Sequence, residues 1–371
     1  MIDILLSVLH HAAGMAWKIG WGLVLGFTIS GVVQAFVSKE KIAEHLGQFG
    51  FGPLLKATGF GAASSSCSYA AAAMSKTLFQ KGAHIVNATA FLFASTNLVL
   101  EIGLIIWSLL GWRFVAAEFF GGILLILAVA VLLRWFAPTG VFDQARKHLE
   151  QVSSEHGHEH DHGGGTIPVG RLFTRDGMAT VGRYFATDWR MTGKDIVLGL
   201  VIAGALSALV PREWWSTLFL SNGGGGAPGF WVSVENAVVG PLIAILSFVC
   251  SVGNIPLALV LWQNGISFGG VIAFIFADLV TIPMVLVYRD YYGWKPALVY
   301  FGYLLVTIIV VGLLVDGLFV LVGLAPEPAS STAALNGVDY FAWDYTTWLN
   351  FVFLPFGAWL AWIGTRKAGH H

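Results

Sequence analysis

The chain has 371 residues, of which 56% are hydrophobic and only 11% are charged, and its formal net charge is −1. A soluble domain carries roughly 25% charged residues because its surface must face water, so this composition predicts a membrane protein whose surface contacts lipid. The near-zero net charge gives no basic field that would favour nucleic acid as a partner. Two cysteines are too few for a secreted disulfide scaffold.

Apolar segments recur along the whole chain. A transmembrane helix needs ~20 mainly apolar residues. Nine segments approach or exceed this length: Ala16–Val37, Ala57–Ser75, Ile85–Leu110, Phe114–Phe136, Asp195–Val210, Val239–Trp262, Phe268–Tyr288, Ala297–Gly323 and Thr347–Gly364. The second is rich in Gly, Ala and Ser, which predicts packing against protein rather than lipid. The pattern predicts an all-α integral membrane protein.

Residues 138–194 form a polar segment between the fourth and fifth apolar segments, and they carry the largest cluster of Lys and Arg in the chain. The positive-inside rule places such a cluster in the cytoplasm. We therefore expect a multi-pass protein of the inner (cytoplasmic) membrane.

A histidine tract lies within this polar segment, with His156, His158, His160 and His162 alternating with glycine and acidic residues. Imidazoles and carboxylates at this density can bind zinc, nickel or copper, so the four histidines are weak candidate metal ligands. The alternative interpretation is a flexible, solvated linker. Both interpretations stay open at this point.

An internal repeat is the strongest organisational signal in the sequence. Val24–Gly31 matches Val197–Gly204, and Ala90–Ser95 matches Ala273–Asp278 at a larger offset. At that second offset, further pairs are Cys67 with Cys250 and Gly82 with Gly265. The change of offset predicts an insertion in the first loop of the second half.

The repeat predicts two four-helix transmembrane units plus a C-terminal helix. The predicted division is a first transmembrane repeat at 1–137, a polar His-rich linker at 138–194, a second repeat at 195–323, and a loop with the C-terminal helix at 324–371. An even number of spans per unit gives parallel repeats, whereas a re-entrant segment would make them inverted. Transporters commonly place their substrate near mid-membrane where such repeats meet.

Both cysteines of the chain occupy equivalent positions of the repeat, and each is followed by a serine: Cys67 by Ser68, and Cys250 by Ser251. Thiolates are soft ligands, and they favour soft, thiophilic substrates. The four side chains are therefore candidate substrate-binding groups. The alternative is that each cysteine is simply a small residue that allows close helix packing in a membrane.

A second constellation is formed by Ser95 and Asn97 in the first half and by Asp278, the repeat mate of Ser95, in the second. Placing a carboxylate inside the membrane costs free energy. Such a group usually faces the interior of the bundle, where it often takes part in proton or ion transfer. We predict proton or ion coupling for Asp278, and substrate binding for Ser95 and Asn97. The alternative is a structural carboxyl group held by hydroxyls or helix amides.

Nucleotide-driven or enzymatic chemistry is not expected. The string Asp188–Asp195 lacks the first glycine and the Ser/Thr of a P-loop, and the two cysteines cannot form a CxxC motif. The sequence offers no concentrated catalytic set, so we predict neither an enzyme nor a cofactor.

The segments around both cysteines resemble the YraQ-like predicted permeases, a family that includes ArsP-type organoarsenical efflux permeases. The resembling residues are Ser66–Ala70, Gly82, Ala90–Asn97 and Gly111-Trp112, with Val249–Ser251, Gly265, Ala273–Asp278 and Gly293-Trp294 in the second half. The resemblance implies an inner-membrane permease of two four-helix halves joined by a long hydrophilic loop. It also implies export of trivalent methylated arsenicals.

The predicted function is secondary-active efflux of a thiophilic or metalloid species, such as an organoarsenical, with coupling to protons as a further hypothesis. The alternatives are a channel or carrier for a small hydroxylated or anionic metabolite, and a membrane subunit that does not transport. The expected partners are the small-molecule or metalloid substrate and membrane lipid, and association into a homo-oligomer is left open.

Overall fold

The structure is a computed structural model, and it describes residues 2–36, 46, 48, 50–64, 68–80, 82–136, 140–155, 174–209, 214, 217–219, 229–247, 251–326, 341, 343 and 345–366. Within these ranges it contains α-helices, one short 3-10 helix and no strand. The prediction of an all-α membrane protein is confirmed.

Six helices lie among the described residues of the first half. They are α1 (Ile2–Phe36), α2 (Phe51–Ser64), α3 (Ser68–Gln80), α4 (Ile85–Asn97), α5 (Leu100–Leu109) and α6 (Trp112–Trp135). A polar helix, α7 (Val141–Glu155), follows them. The second half contains α8 (Arg175–Leu209), α9 (Phe230–Ser247), α10 (Ser251–Gln263), α11 (Phe268–Phe276), the 3-10 helix (Ala277–Val280), α12 (Ile282–Tyr292) and α13 (Trp294–Val322). The last helix is α14 (Tyr345–Arg366).

The helices follow the same order in the two halves. In each half a long helix is followed by two short ones, by a pair that is interrupted near its middle, and by another long helix. Four glycines that open or close these helices share a positive φ, namely Gly82 (103°), Gly265 (99°), Gly111 (91°) and Gly293 (83°). Such angles are readily adopted only by glycine. Superposition of the two halves as equivalent units stays a prediction.

The N-caps of α4 and α11 are formed by His84 and Ser267. His84 Nδ1 accepts from the backbone N–H of Val86 at 3.2 Å, and Ser267 Oγ accepts from that of Gly270 at 3.1 Å. Burial lowers the pKa of His84, and the charges of Arg134 and Arg146 act in the same direction. The neutral imidazole that results is the form that can accept this hydrogen bond.

Five helical segments among the described residues are long and apolar enough to cross a membrane: Leu6–Ile29, Trp112–Trp135, Phe268–Tyr292, Trp294–Val322 and Tyr345–Thr365. A sixth forms if α4 and α5, which meet at a 41° bend, are counted as one broken span. The halves meet where α1 packs against α8, α6 against α13, and α5 against α10.

The predicted spans 57–75 and 239–262 each include parts of two helices. Helix α2 covers residues up to Ser64 and α3 those from Ser68, whereas α9 covers residues up to Ser247 and α10 those from Ser251. Residues 65–67 and 248–250 lie outside the described residues, so the continuity of these two spans stays a prediction.

The predicted boundary at residue 194 lies inside a helix, because α8 begins at Arg175. The preceding polar segment also contains α7, which packs against α3 from the first half and against α12 and α13 from the second. Arg146 of α7 donates to the carbonyl oxygen of Ala83 at 3.0 Å and lies over the ring of Phe79. Part of the predicted linker is therefore folded onto one end of the bundle.

Glycine permits the closest helix contacts. A Cβ atom at Gly61 of α2 would lie 2.5 Å from the carbonyl oxygen of Phe91 and 2.8 Å from the Cβ of Ala94, both on α4. At Gly240 of α9, a Cβ atom would collide with the carbonyl oxygen of Gly270 on α11. These backbone atoms cannot rotate away as a flexible side chain could.

Replacement of Gly61 by alanine is expected to lower the free energy of unfolding by about 1–3 kcal/mol, because the new methyl group would overlap backbone atoms of α4. Gly59 is the matched control, since it lies in the same helix and has nothing within 4 Å of its Cβ position. Gly59→Ala should leave stability unchanged or raise it by up to about 1 kcal/mol. Thermal unfolding of the purified variants in detergent measures both, and equal midpoints would contradict this account of the packing.

Candidate functional site

Three polar side chains from three separate segments converge inside the bundle. The hydroxyl of Ser68 donates to Asp278 Oδ2 at 2.7 Å, and that of Ser251 donates to the same oxygen at 2.6 Å. The two hydroxyl oxygens are 3.0 Å apart. Asp278 is 1% exposed, so this polar cluster is closed off by the protein on all sides.

The backbone explains why Asp278 reaches this position. The α-helical path of α11 tightens into the 3-10 helix at Ala277, and the chain is extended at Thr281 before Pro283 enters the first turn of α12. Proline favours that first turn because it has no N–H to leave unpaired. The phenol of Tyr288 on α12 donates to the carbonyl oxygen of Leu279 at 3.0 Å, which holds the interruption. The carboxylate thus lies at a break in the middle of an apolar span.

Ser68 and Ser251 are the first residues of α3 and α10, so two short helices begin beside the carboxyl group. The first-turn N–H groups of a helix have no partner within the helix, and its dipole makes this end favourable for negative charge. Interrupted helices of this kind are the usual way in which membrane transporters present backbone groups to a substrate or ion. The cluster is therefore suited to holding an anion or a carboxylate away from water.

Several buried polar atoms have no hydrogen-bond partner among the described residues. They include Asp278 Oδ1, Asn97 Oδ1, both carboxylate oxygens of Glu118, and both side-chain amide atoms of Asn254. A buried polar group without a partner is costly, and native proteins leave few of them. Asn254 lies one turn after Ser251 on α10, so these atoms include one group next to the Asp278 cluster.

Glu118 lies on α6 between two contacts that fix its level in the bundle. Phe114, one turn before it, packs edge-to-face on Trp262 and Phe268. Gly121, one turn after it, lies against Phe276, two residues before Asp278. Glu118 is fully buried, and it is close enough to Asp278 for their charges to interact.

The structure brings together three of the predicted site residues, Ser68, Ser251 and Asp278. Ser95 is buried on α4, and its hydroxyl donates to the carbonyl oxygen of Leu92 in its own helix. The side-chain amide nitrogen of Asn97 donates to the carbonyl of Phe93 and to the hydroxyl of Thr96. Neither Ser95 nor Asn97 is hydrogen-bonded to Asp278, and their roles in binding stay predictions.

The remaining predicted residues are Cys67, Cys250, His156, His158, His160 and His162, and all six lie outside the described residues. Within the described part of the chain, no group of three or more His, Cys, Asp or Glu side chains could hold a metal ion. A thiol site and a metal-binding role for the tract therefore stay predictions.

Asn254 and Glu118 are buried polar residues that the sequence motifs do not single out. The spacing of Asn254 three residues after Ser251 places both on one face of α10, which is a signal that could have identified it. Glu118 lies one turn inside the predicted span Phe114–Phe136, so the sequence alone does not distinguish a buried position from one at the membrane interface. The structure shows that its side chain is completely buried.

Two short strings also match enzyme signatures that the sequence prediction did not take into account. Gly265–Gly269 matches GxSxG, but its serine, Ser267, caps α11 and follows a helix, whereas a nucleophile elbow follows a strand. His158–His162 matches HExxH and lies outside the described residues. The helical setting of Ser267 does not support hydrolase chemistry there.

The apolar helices, the interrupted spans and the buried carboxyl groups define a polytopic membrane protein with a polar site inside its bundle. Residues 4–317 match the model of the ArsP_1 family, whose description is "Predicted permease", and the chain belongs to this family. The resemblance noted from the motifs is thereby confirmed, and membership implies a membrane transporter of a small molecule rather than an enzyme.

The chain is also similar to a protein of Mycobacterium tuberculosis strain H37Rv that bears the name "Putative permease Rv2963". The two sequences are 44% identical over 312 residues, which cover 82% of this chain and 74% of that protein. No solved structure matches the chain.

Proposed function

We propose that the chain is a secondary-active permease that exports a small thiophilic or metalloid solute, with a trivalent organoarsenical as the leading substrate. The observation that carries this proposal is the position of Asp278, a buried carboxyl group at the break of an apolar span, held by one hydroxyl from each half of the chain. Such a group suits the binding and release of a proton during transport.

The substrate in this proposal binds beside Asp278, between the beginnings of α3 and α10. Cys67 directly precedes Ser68, and Cys250 directly precedes Ser251, so each thiol is next in the sequence to a serine of the cluster. A trivalent arsenical bonds to thiolates, whereas the serine hydroxyls and the amide of Asn97 suit its oxygen atoms. Proton binding at Asp278 would then alternate with substrate binding nearby.

Transport by the purified chain in proteoliposomes tests this function. A trivalent methylarsenical should enter the vesicles at a rate that saturates with concentration and responds to an imposed pH gradient. Flux that rises linearly and ignores the gradient would instead indicate a channel. A complete lack of flux for this and other small solutes would favour a membrane subunit that does not transport.

A second candidate is a carrier for a small hydroxylated or anionic metabolite. It is favoured by the chemistry of the described cluster, which consists of oxygen atoms beside the beginnings of two helices. Competition separates the candidates, because thiol-reactive arsenicals should compete with each other but not with a hydroxylated anion if the first proposal holds.

We further propose that the protein lies in the inner membrane with residues 138–194 in the cytoplasm, as their positive charge indicates. A cysteine-free variant carrying a single new cysteine in this segment would react with a membrane-impermeant thiol reagent only in inside-out vesicles. Labelling in intact cells would instead show that residues 138–194 lie outside the cytoplasm.

Deletion of His156–His162 is expected to leave transport within about two-fold of the wild-type rate. The tract is flanked by glycines and polar residues, which offer little apolar surface to fix it against the bundle. Flux into proteoliposomes at matched protein density measures the effect. A large loss at normal expression would show that the tract takes part in the mechanism.

A further inference from the structure

Glu118 is the buried acidic group that the proposed function leaves without a role. It is fully buried on α6, and neither of its carboxylate oxygens has a hydrogen-bond partner among the described residues. Asp316, on α13, is also buried, but its Oδ1 accepts from the backbone N–H of Gly269 at 3.2 Å. Glu118 therefore lacks the partner that explains Asp316 as a structural residue.

The position of Glu118 relates it to the Asp278 cluster. Helix α10 runs from Ser251, which is hydrogen-bonded to Asp278, to Trp262, which packs against Phe114 of α6. On α6, Glu118 lies between Phe114 and Gly121, and Gly121 contacts Phe276, two residues before Asp278. The charges of Glu118 and Asp278 therefore interact. The two carboxyl groups thus belong to one buried region, although they are carried by different halves of the chain.

Neither carboxyl group is paired with a basic side chain among the described residues. The elements packed against α6 and the 3-10 helix carry further titratable side chains: Glu101 on α5, Glu235 on α9, Tyr288, Arg289, Asp290, Tyr291 and Tyr292 on α12, and Lys295, Tyr300, Tyr303 and Asp316 on α13, while α6 itself carries Arg113 and Arg134. The four basic residues lie in the first or last turn of their helices, away from the middle of the spans.

Two carboxylates in one apolar region cannot both be ionised without a large electrostatic cost, so their protonation states depend on each other. We propose that Glu118 is a second proton-binding group of the transport cycle and that at least one proton stays on the Glu118–Asp278 pair while the site is closed. This inference rests on the proposed function for its link to transport. The proton itself is gained and lost at carboxyl oxygens, with no other bond changed.

A substrate-free experiment tests whether Glu118 carries a proton. A lipophilic carbodiimide modifies protonated carboxyl groups in apolar surroundings, and peptide mass spectrometry locates the modified residue. We expect modification of Glu118 in the folded chain in detergent, loss of that signal in Glu118→Gln, and little modification of Asp316. Absence of modification at Glu118 at every pH at which the chain is folded would overturn the proposal.

Transport of a trivalent methylarsenical tests the role in the cycle. In Glu118→Gln, we expect flux driven by a pH gradient to fall at least about 100-fold, the low end of the range for a positioned proton-transfer group. Exchange of labelled for unlabelled substrate should stay within about two-fold of wild type. Asp316→Asn, whose side chain can still accept from Gly269, is the matched control and should retain both activities.

The outcomes separate this inference from the proposed function. Normal gradient-driven flux in Glu118→Gln, together with its loss in Asp278→Asn, would overturn the role of Glu118 and leave the proton-coupled permease in place. Normal flux in both variants would refute proton coupling at this site altogether. A melting temperature of Glu118→Gln close to that of wild type shows that a lost flux is not a loss of folding.

Discussion

Asp278→Asn is expected to reduce transport driven by a pH gradient by roughly 100-fold, as for loss of a positioned proton-transfer group. The asparagine oxygen can still accept from Ser68 and Ser251, so the two hydrogen bonds and the fold should persist. What the variant lacks is a proton that can be gained and lost. A charge at mid-membrane costs at least ~2.5–3.5 kcal/mol on insertion scales, so a carboxyl group without a function there would only destabilise the protein in the membrane.

The matched control for this prediction is Asp290, an exposed acidic residue in the same span, which forms a surface ion pair with Arg289 at 2.7 Å. Asp290→Asn should transport at the wild-type rate, because exposed ion pairs contribute little. Flux of a trivalent methylarsenical into proteoliposomes, with and without a gradient, measures both variants. If Asp278→Asn moves substrate at the wild-type rate with the same pH dependence, Asp278 is structural.

The double variant Ser68→Ala/Ser251→Ala is expected to abolish transport, whereas each single variant should retain a measurable rate. A hydrogen bond to a charged group contributes about 1.5–3 kcal/mol, and removal of both donors would leave the carboxyl group of Asp278 without any side-chain hydrogen bond among the described residues. With one serine left, Oδ2 keeps one donor. Because the hydroxyls share one acceptor, the effects of the two substitutions should not be additive.

Thr77 provides the control for this pair, because it lies on α3 with Ser68 but its hydroxyl donates to Ala73 within its own helix. Thr77→Ala should transport normally. Rates for the four combinations of Ser68 and Ser251 give the coupling between the two serines. Strictly additive effects would show that the serines act at separate places, contrary to the observed geometry.

Much of the candidate site follows from the repeat in the sequence. The pairing of Cys67 with Cys250 also pairs Ser68 with Ser251, and the match of Ser95 with Asp278 singles out the one acidic residue in the motif. Apolar segments predict the all-α membrane fold because lipid requires every backbone group to be paired within the chain. These features depend on local composition and spacing, which are visible in the sequence.

Other features depend on relations between distant residues. Hydropathy does not distinguish a continuous helix from a span such as Phe268–Tyr292, which the 3-10 helix Ala277–Val280 interrupts, because both contain the same apolar residues. Glu118 and Asn254 become notable only when the packing shows that they are buried and that their polar atoms lack partners. They are notable because their polar atoms lack hydrogen-bond partners, and a sequence does not show which residues are in contact.

The shared oxygen of Asp278 has a mechanical consequence. Ser68 belongs to the first half of the chain, and Ser251 and Asp278 belong to the second, so the bond from Ser68 fastens one half to the other. A proton placed on Oδ2 would weaken both hydroxyl bonds at once, since a neutral oxygen is a poorer acceptor than a charged one. A single protonation event would thus weaken the hydrogen bond that joins the two halves at this point, so that proton binding and any movement of the halves would depend on the same oxygen atom.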